Sequence, residues 1–141
     1  MNGTNPAWDR ARFPVVLVVE DEAVIRAILA EELEDAGFTV VEADGADAAV
    51  AVLAGRSDIG IVVTDLRMPG SMDGLGLARW MRKHAPTVPI IITSGFATQP
   101  DVAANNPAIV RVVAKPYSCR DVAGWVAALG GGTGTAEGAR R

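Results

Sequence analysis

Cysteine is almost missing from this chain of 141 residues. Cys119 is the only one, so there can be no internal disulfide and no cysteine pair to hold a metal, and a reducing, cytoplasmic setting is expected. Aromatic residues are few, with three Phe, three Trp and one Tyr, so Val, Ile, Leu and Ala must build the core. The 13 Lys and Arg are scattered and outnumbered by 17 Asp and Glu, giving a net charge of −4 and an isoelectric point of about 4.9. That balance argues against nucleic acid as a partner, because neutralising phosphates takes clustered basic residues. No stretch approaches the ~18 apolar residues of a membrane helix, and the run PVVLVV breaks at Glu20. The start, MNGTNPAWDRARF, has no apolar segment of the signal-peptide kind, so no membrane association is expected.

Apolar residues make up half of the chain, enough at this length for one domain burying roughly two-thirds of its unfolded surface. Their arrangement alternates between two patterns. Short β-branched runs at VVLVV (15–19), FTVVE (38–42), IGIVV (59–63), PIII (89–92) and VRVVA (110–114) predict strands. Between them lie helical stretches. AVIRAILAEELEDAG places Ile25, Ile28, Leu29, Leu33 and Ala36 on one stripe and ends at Gly37, where a left-handed cap costs glycine least. Residues 46–54 and 75–85 are further helices, 97–106 is at most a short polar one, and SCRDVAGWVAALG ends the series with Val122, Trp125, Val126 and Leu129 inward. Five strands alternating with helices imply a doubly wound α/β fold around a parallel sheet. Residues 1–13, with an isolated Trp8, and 130–141 lack hydrophobic periodicity and are expected to be flexible tails.

In such a sheet, ligands bind beyond the carboxyl ends of the strands, so the residues there are where chemistry is sought. Glu20, Asp21 and Glu22 follow the first strand, Asp65 the third, Thr93, Ser94 and Gly95 the fourth, and Lys115 and Pro116 the fifth. Each has an ordinary use. Asp21 suits a helix cap, Asp65 and Ser94 suit turns, and Lys115 suits a solvated surface. Together, however, they bring acids, a hydroxyl and a lysine to one edge. Carboxylates about 5 Å apart repel by roughly 3 kcal/mol at an effective dielectric near 20, so the cluster calls for a cation, and all-oxygen donors suit Mg²⁺. A carboxylate is also a competent nucleophile toward phosphorus.

The stretches VVEDE, VVTDLRMPGSMDGLGLAR, IIITSG and VVAKPY resemble the receiver domains of two-component response regulators, a likeness that runs over residues 14–129. The resemblance implies a flavodoxin-like fold with strand order 2-1-3-4-5. It also implies that Asp65 is the phosphoacceptor, that Asp21, Asp65 and the main-chain carbonyl of Arg67 are Mg²⁺ ligands with Glu20 acting on the metal's waters, and that Ser94 and Lys115 contact the phosphoryl group. A sensor histidine kinase or a histidine phosphotransfer protein would be the donor, and the chain would then either switch its binding to a downstream protein, unnamed by the sequence, or serve as a phosphate shuttle or sink. His84 is expected to be a surface residue.

Some positions depart from the family pattern. Ser71 lengthens the loop after Asp65 by one residue, and Val112 stands where many receivers carry Tyr or Phe, with Tyr117 no replacement for it. Arg67 and Phe96 flank the path of an attacking water, Phe96 being expected to shield the acyl phosphate. The Lys115–Pro116 bond is expected to be cis. The chain ends soon after its last helix, so a stand-alone receiver is expected. The alternatives are a constitutive interaction module with an inactive site, or a Mg²⁺-dependent phosphatase working through an aspartyl phosphate. Arg67 counts against the phosphatase, standing where such enzymes usually place a second acid.

Overall fold

The computed structural model describes residues 15–95 and 106–131. Trp8, Phe96, the stretch 97–105 and most of both expected tails lie outside the described residues. Strand β1 (Val15–Val19) leads to helix α1 (Ala23–Asp35), β2 (Thr39–Ala43), α2 (Ala46–Gly55), β3 (Ile59–Asp65) and α3 (Gly74–His84). Then come β4 (Ile90–Ser94), β5 (Ile109–Ala114) and α4 (Cys119–Val126), which runs into a wider π-turn over Ala127–Gly131. The five strands are parallel, in the order β2-β1-β3-β4-β5.

The apolar runs form buried strands because both faces of the sheet are covered. Along β1, Val15, Leu17 and Val19 enter one core with Ala49 of α2 and Leu77 and Met81 of α3. Val16 and Val18 enter the other, with Leu29 and Leu33 of α1 and Val122 and Val126 of α4. A strand with a core on each side shows no polar alternation, which is why these runs read as continuous. Leu17, Ile61 and Ile90 to Ile92 are wholly buried.

Three details of the sequence expectation need correction. In α1, Leu29, Ala30 and Leu33 are buried, whereas Ile28 is 52% exposed and Ala36 is exposed. Ile25 and Ile28 instead line a hollow of about 410 Å³ with Lys115, Pro116, Tyr117 and Cys119. Leu129, expected inward, is 42% exposed because the π-turn carries it off the α4 face. Trp125 does pack against the core under α4, half-buried, with the Arg111 guanidinium 4.5 Å from its ring centre. Finally, Asn106 is not a helix residue. It is buried, donates to the Ala78 carbonyl at 3.1 Å and accepts from the Ala108 amide at 3.2 Å, tying the entry of β5 to α3. Gly37 takes the expected left-handed conformation at the end of α1, with φ of 103°.

Candidate functional site

Strand β3 carries two more residues than its apolar run and ends on Asp65, 6% exposed. Three contacts hold that end. The Leu66 amide donates to the Thr93 carbonyl at 2.8 Å, the Thr64 hydroxyl to the Asp65 carbonyl at 3.0 Å, and the Gly74 amide to the Leu66 carbonyl at 2.8 Å. Gly74 starts α3 directly against the strand, and a methyl group there would collide with the Asp65 carbonyl oxygen. The loop between them turns at Gly70, with φ of 111°. Met68 folds back into the core, and Ser71 donates its hydroxyl to the Asp47 carboxylate of α2 at 3.2 Å.

Around Asp65 the strand ends converge. Lys115 Nζ lies 2.9 Å from Asp65 Oδ2 and 3.8 Å from Glu20 Oε1. Glu20, Asp21 and Asp65 each offer a carboxylate oxygen within 4.8 Å of the others. Glu20 is 3% exposed and its Oε2 accepts from the Glu22 amide at 3.1 Å, while Asp21 faces solvent. Ser94 is fully buried at the end of β4, where its carbonyl accepts from the Lys115 amide at 2.7 Å. The Lys115–Pro116 bond is cis, as expected.

Charge accounts for the cluster's electrostatics. Burial pushes Glu20 above the usual carboxylate range, and the Asp65 charge pushes the same way against the lowering pull of the Glu22 amide and Lys115. Burial works against the Lys115 ammonium, but the hydrogen bond it donates to Asp65 and the charges of Asp65, Glu20 and Glu22 outweigh it and hold Lys115 above its ordinary value. Tyr117, half-buried beside Glu20 and Asp65, is raised mainly by burial. Three carboxylates against one ammonium leave two negative charges, the complement of one divalent cation. All three side-chain donors are oxygens, and exposed Asp21 keeps one side open to water, as Mg²⁺ prefers. The site therefore fits Mg²⁺.

The sequence expectation for Asp21 as a helix cap is not what the structure shows: α1 has Glu22 at its cap position and no side-chain capping bond. Asp65 does start a turn, its Oδ1 accepting from the Arg67 amide at 3.4 Å, while also joining the cluster. Lys115 is not a solvated surface charge. His84 is a surface residue, its ring stacked on Trp80 with centroids 4.3 Å apart. Sequence reasoning missed Arg26. Its Nη1 donates to the Glu20 carbonyl at 2.7 Å and its Nε to Glu42 at 3.2 Å, a role invisible in a run that reads only as an amphipathic helix.

Comparison with known proteins adds an independent line. Residues 16–126 match the family described as response regulator receiver domain. DctD of Rhizobium meliloti, a C4-dicarboxylate transport transcriptional regulatory protein, is 37% identical over 106 residues, covering 74% of this chain and 23% of DctD. The chain spans 17% to 45% of the lengths of curated relatives such as this one. Among solved structures, a response regulator receiver protein from Pseudomonas putida is 35% identical with a TM-score of 0.71, covering 81% of this chain and 95% of that one. TrrA of Thermotoga maritima, solved in complex with Mg²⁺ and BeF, is 26% identical with a TM-score of 0.73, over 83% of this chain and 99% of TrrA. Among the described residues, no helix is long and apolar enough to cross a membrane.

Proposed function

Because the chain belongs to the response regulator receiver domain family, we propose that it accepts a phosphoryl group on Asp65 from a phosphohistidine of a sensor kinase or histidine phosphotransfer protein. The observation that carries this reading is the meeting of Lys115 Nζ with Asp65 Oδ2 at 2.9 Å beside the carboxylates of Glu20 and Asp21. A buried strand end bearing a lone aspartate would be a structural acid. One that shares a lysine and two further acids is built to handle more charge than it carries. In the proposed step an Asp65 carboxylate oxygen attacks phosphorus, the donor's N–P bond breaks, and the imidazole leaves with the electron pair and takes up a proton.

Glu20, Asp21, Asp65 and the Arg67 main-chain carbonyl would hold Mg²⁺, which supplies neutralising charge for the phosphoryl oxygens. That the related TrrA was solved with Mg²⁺ and BeF supports this assignment. Lys115, already bonded to Asp65, contributes a second fixed positive charge, and Ser94 at the neighbouring strand end would donate its hydroxyl to a phosphoryl oxygen. The apolar rim formed by Ile25, Ile28, Pro116 and Tyr117 borders Lys115 and gives a donor protein a surface to dock on beside the acceptor. Phosphorylation then adds about −1.5 to −2 charges at this edge and changes affinity for a downstream protein. The chain acts as a regulator that turns over no external metabolite, and it would work in the cytoplasm.

The test is incubation with Mg²⁺ and a small phosphodonor. The expected result is a covalent gain of about 80 Da, the mass of one phosphoryl group, present in the native chain and lost in Asp65→Asn. An adduct that persists in Asp65→Asn removes Asp65 as the acceptor, and no adduct at all supports an inactive interaction module.

A further inference from the structure

Arg26 closes the first turn of α1, its own amide donating to the Glu22 carbonyl at 2.9 Å. Its side chain runs back toward the start of the helix. There Nη1 donates to the main-chain carbonyl of Glu20 at 2.7 Å, while Nε is braced by Glu42 Oε1 of β2 at 3.2 Å. The Arg26 side chain is 19% exposed and that of its partner Glu42 is 45% exposed. This is a poor place for a stabilising surface ion pair, because half-exposed pairs contribute little. It is also a poor place for a positive charge if the neighbouring acids are to take up a dication, since through space it can only lower their affinity. The arrangement needs another use.

The Glu20 carbonyl supplies one. It belongs to the planar peptide unit that joins Glu20 to Asp21, so fixing its oxygen fixes the direction in which Asp21 leaves the strand. On the other side, the Glu20 amide is fixed by the Ala43 carbonyl at 3.1 Å, the last rung toward β2. The start of α1 has no side-chain cap to do the same work. We propose that Arg26 is a positioning residue for the divalent-cation site: held by Glu42, it orients the Glu20–Asp21 peptide so that both carboxylates face Asp65. The inference rests on the reading of Glu20, Asp21 and Asp65 as the Mg²⁺ site.

Charge and geometry make opposite forecasts, which makes the idea testable. Mg²⁺ is titrated calorimetrically into the unphosphorylated full chain for the native protein, Arg26→Met and Arg26→Lys. Circular dichroism and thermal unfolding in chelator report whether each variant is folded. Met keeps the aliphatic stem without a donor, and Lys restores an N–H donor of nearly the native reach. The expected result is a Kd for Mg²⁺ raised about tenfold in Arg26→Met, the scale of a lost outer-sphere contact, with Arg26→Lys restoring most of the affinity. Affinity unchanged or tightened in Arg26→Met overturns the inference, as does an equal loss in both folded variants. If Arg26→Met does not fold, Arg26→Ala takes its place, with the same result expected and the same results decisive. A native chain that binds no Mg²⁺ overturns the site assignment and this inference with it, whereas a native chain that binds and an Arg26→Met that binds equally well overturns this inference alone.

Discussion

Two helices begin beside the acidic cluster, one directly after Asp73 and one two residues after Asp21, and the two aspartates are used in opposite ways. Asp73 folds back on α3, its Oδ1 accepting from the Gly76 amide at 2.9 Å, and thereby satisfies a backbone donor that would otherwise be orphaned. Asp21 makes no such bond with α1 and instead turns its carboxylate toward Glu20 and Asp65. A capping carboxylate must bend over its own helix, so it cannot also reach a neighbouring strand end. With Glu22 at its cap position and no side-chain capping bond, the start of α1 forgoes about 1 kcal/mol, and the unpaired helix dipole there favours the nearby negative charges. At α3 the local sequence serves the fold, and at α1 it serves the site.

The sharpest break in this comparison is at the α3 start. Gly74 sits so close to β3 that a methyl group would strike the Asp65 carbonyl oxygen and come within 2.9 Å of the Leu66 Cα. Backbone cannot yield as a flexible side chain can. Gly74→Ala is expected to cost about 3 kcal/mol or more in chemical denaturation, beyond the usual cost of overpacking, and to displace Asp65 with it. A stability loss under about 1 kcal/mol would show that the helix and strand can part freely.

The paired substitution at the two aspartates comes next. Asp21→Asn is expected to weaken Mg²⁺ binding at least tenfold, about 1.4 kcal/mol, with little change in chelator-treated stability. Asp73→Ala is expected to do the reverse, lowering stability by about 1 kcal/mol with Mg²⁺ affinity near native. Calorimetry and denaturation of the same two samples decide it, and equal effects on both quantities in both variants would dissolve the distinction.

The same contrast shows what could be read before the structure. The strands were legible because both faces of the sheet are buried, which leaves continuous Val and Ile runs such as those around Leu17 and Ile91. The cluster was legible only jointly: Glu20, Asp65 and Lys115 are ordinary one by one and become a site when parallel topology brings their strand ends together. Asp21 and Asp73 could not be told apart locally, because an aspartate before a helix has the same sequence signature whether it caps or coordinates. Periodicity misplaced Ile28, since a 3.6-residue stripe cannot distinguish a core from the rim of the hollow beside Tyr117. Arg26 and Asn106 gave no signal at all, as each acts through main-chain carbonyls, those of Glu20 and Ala78.

The smallest effect concerns Glu20, which belongs to the site and yet lies in the core. Burial and the Asp65 charge hold its carboxyl above the ordinary value of 4.5, so the fold tolerates the protonated form better than the ionised one. The favourable contribution of that protonation is complete below the unfolded value and is lost as pH rises through the raised folded value, so at neutral pH the metal-free chain carries a destabilising charge. Glu20→Gln removes the charge and keeps an oxygen that can accept from the Glu22 amide. In chelator at pH 7 it is expected to be more stable than the native chain by up to about 1 kcal/mol, an advantage that fades as pH falls toward 4.5. Saturating Mg²⁺ should reverse the order, because only the native chain then gains the full binding contribution. Thermal unfolding across pH with and without Mg²⁺ measures both effects. A Glu20→Gln chain less stable than native in chelator at neutral pH would mean that the lysine, not the burial, sets the state of Glu20, and the α1 side of the comparison would then be a structural ion pair.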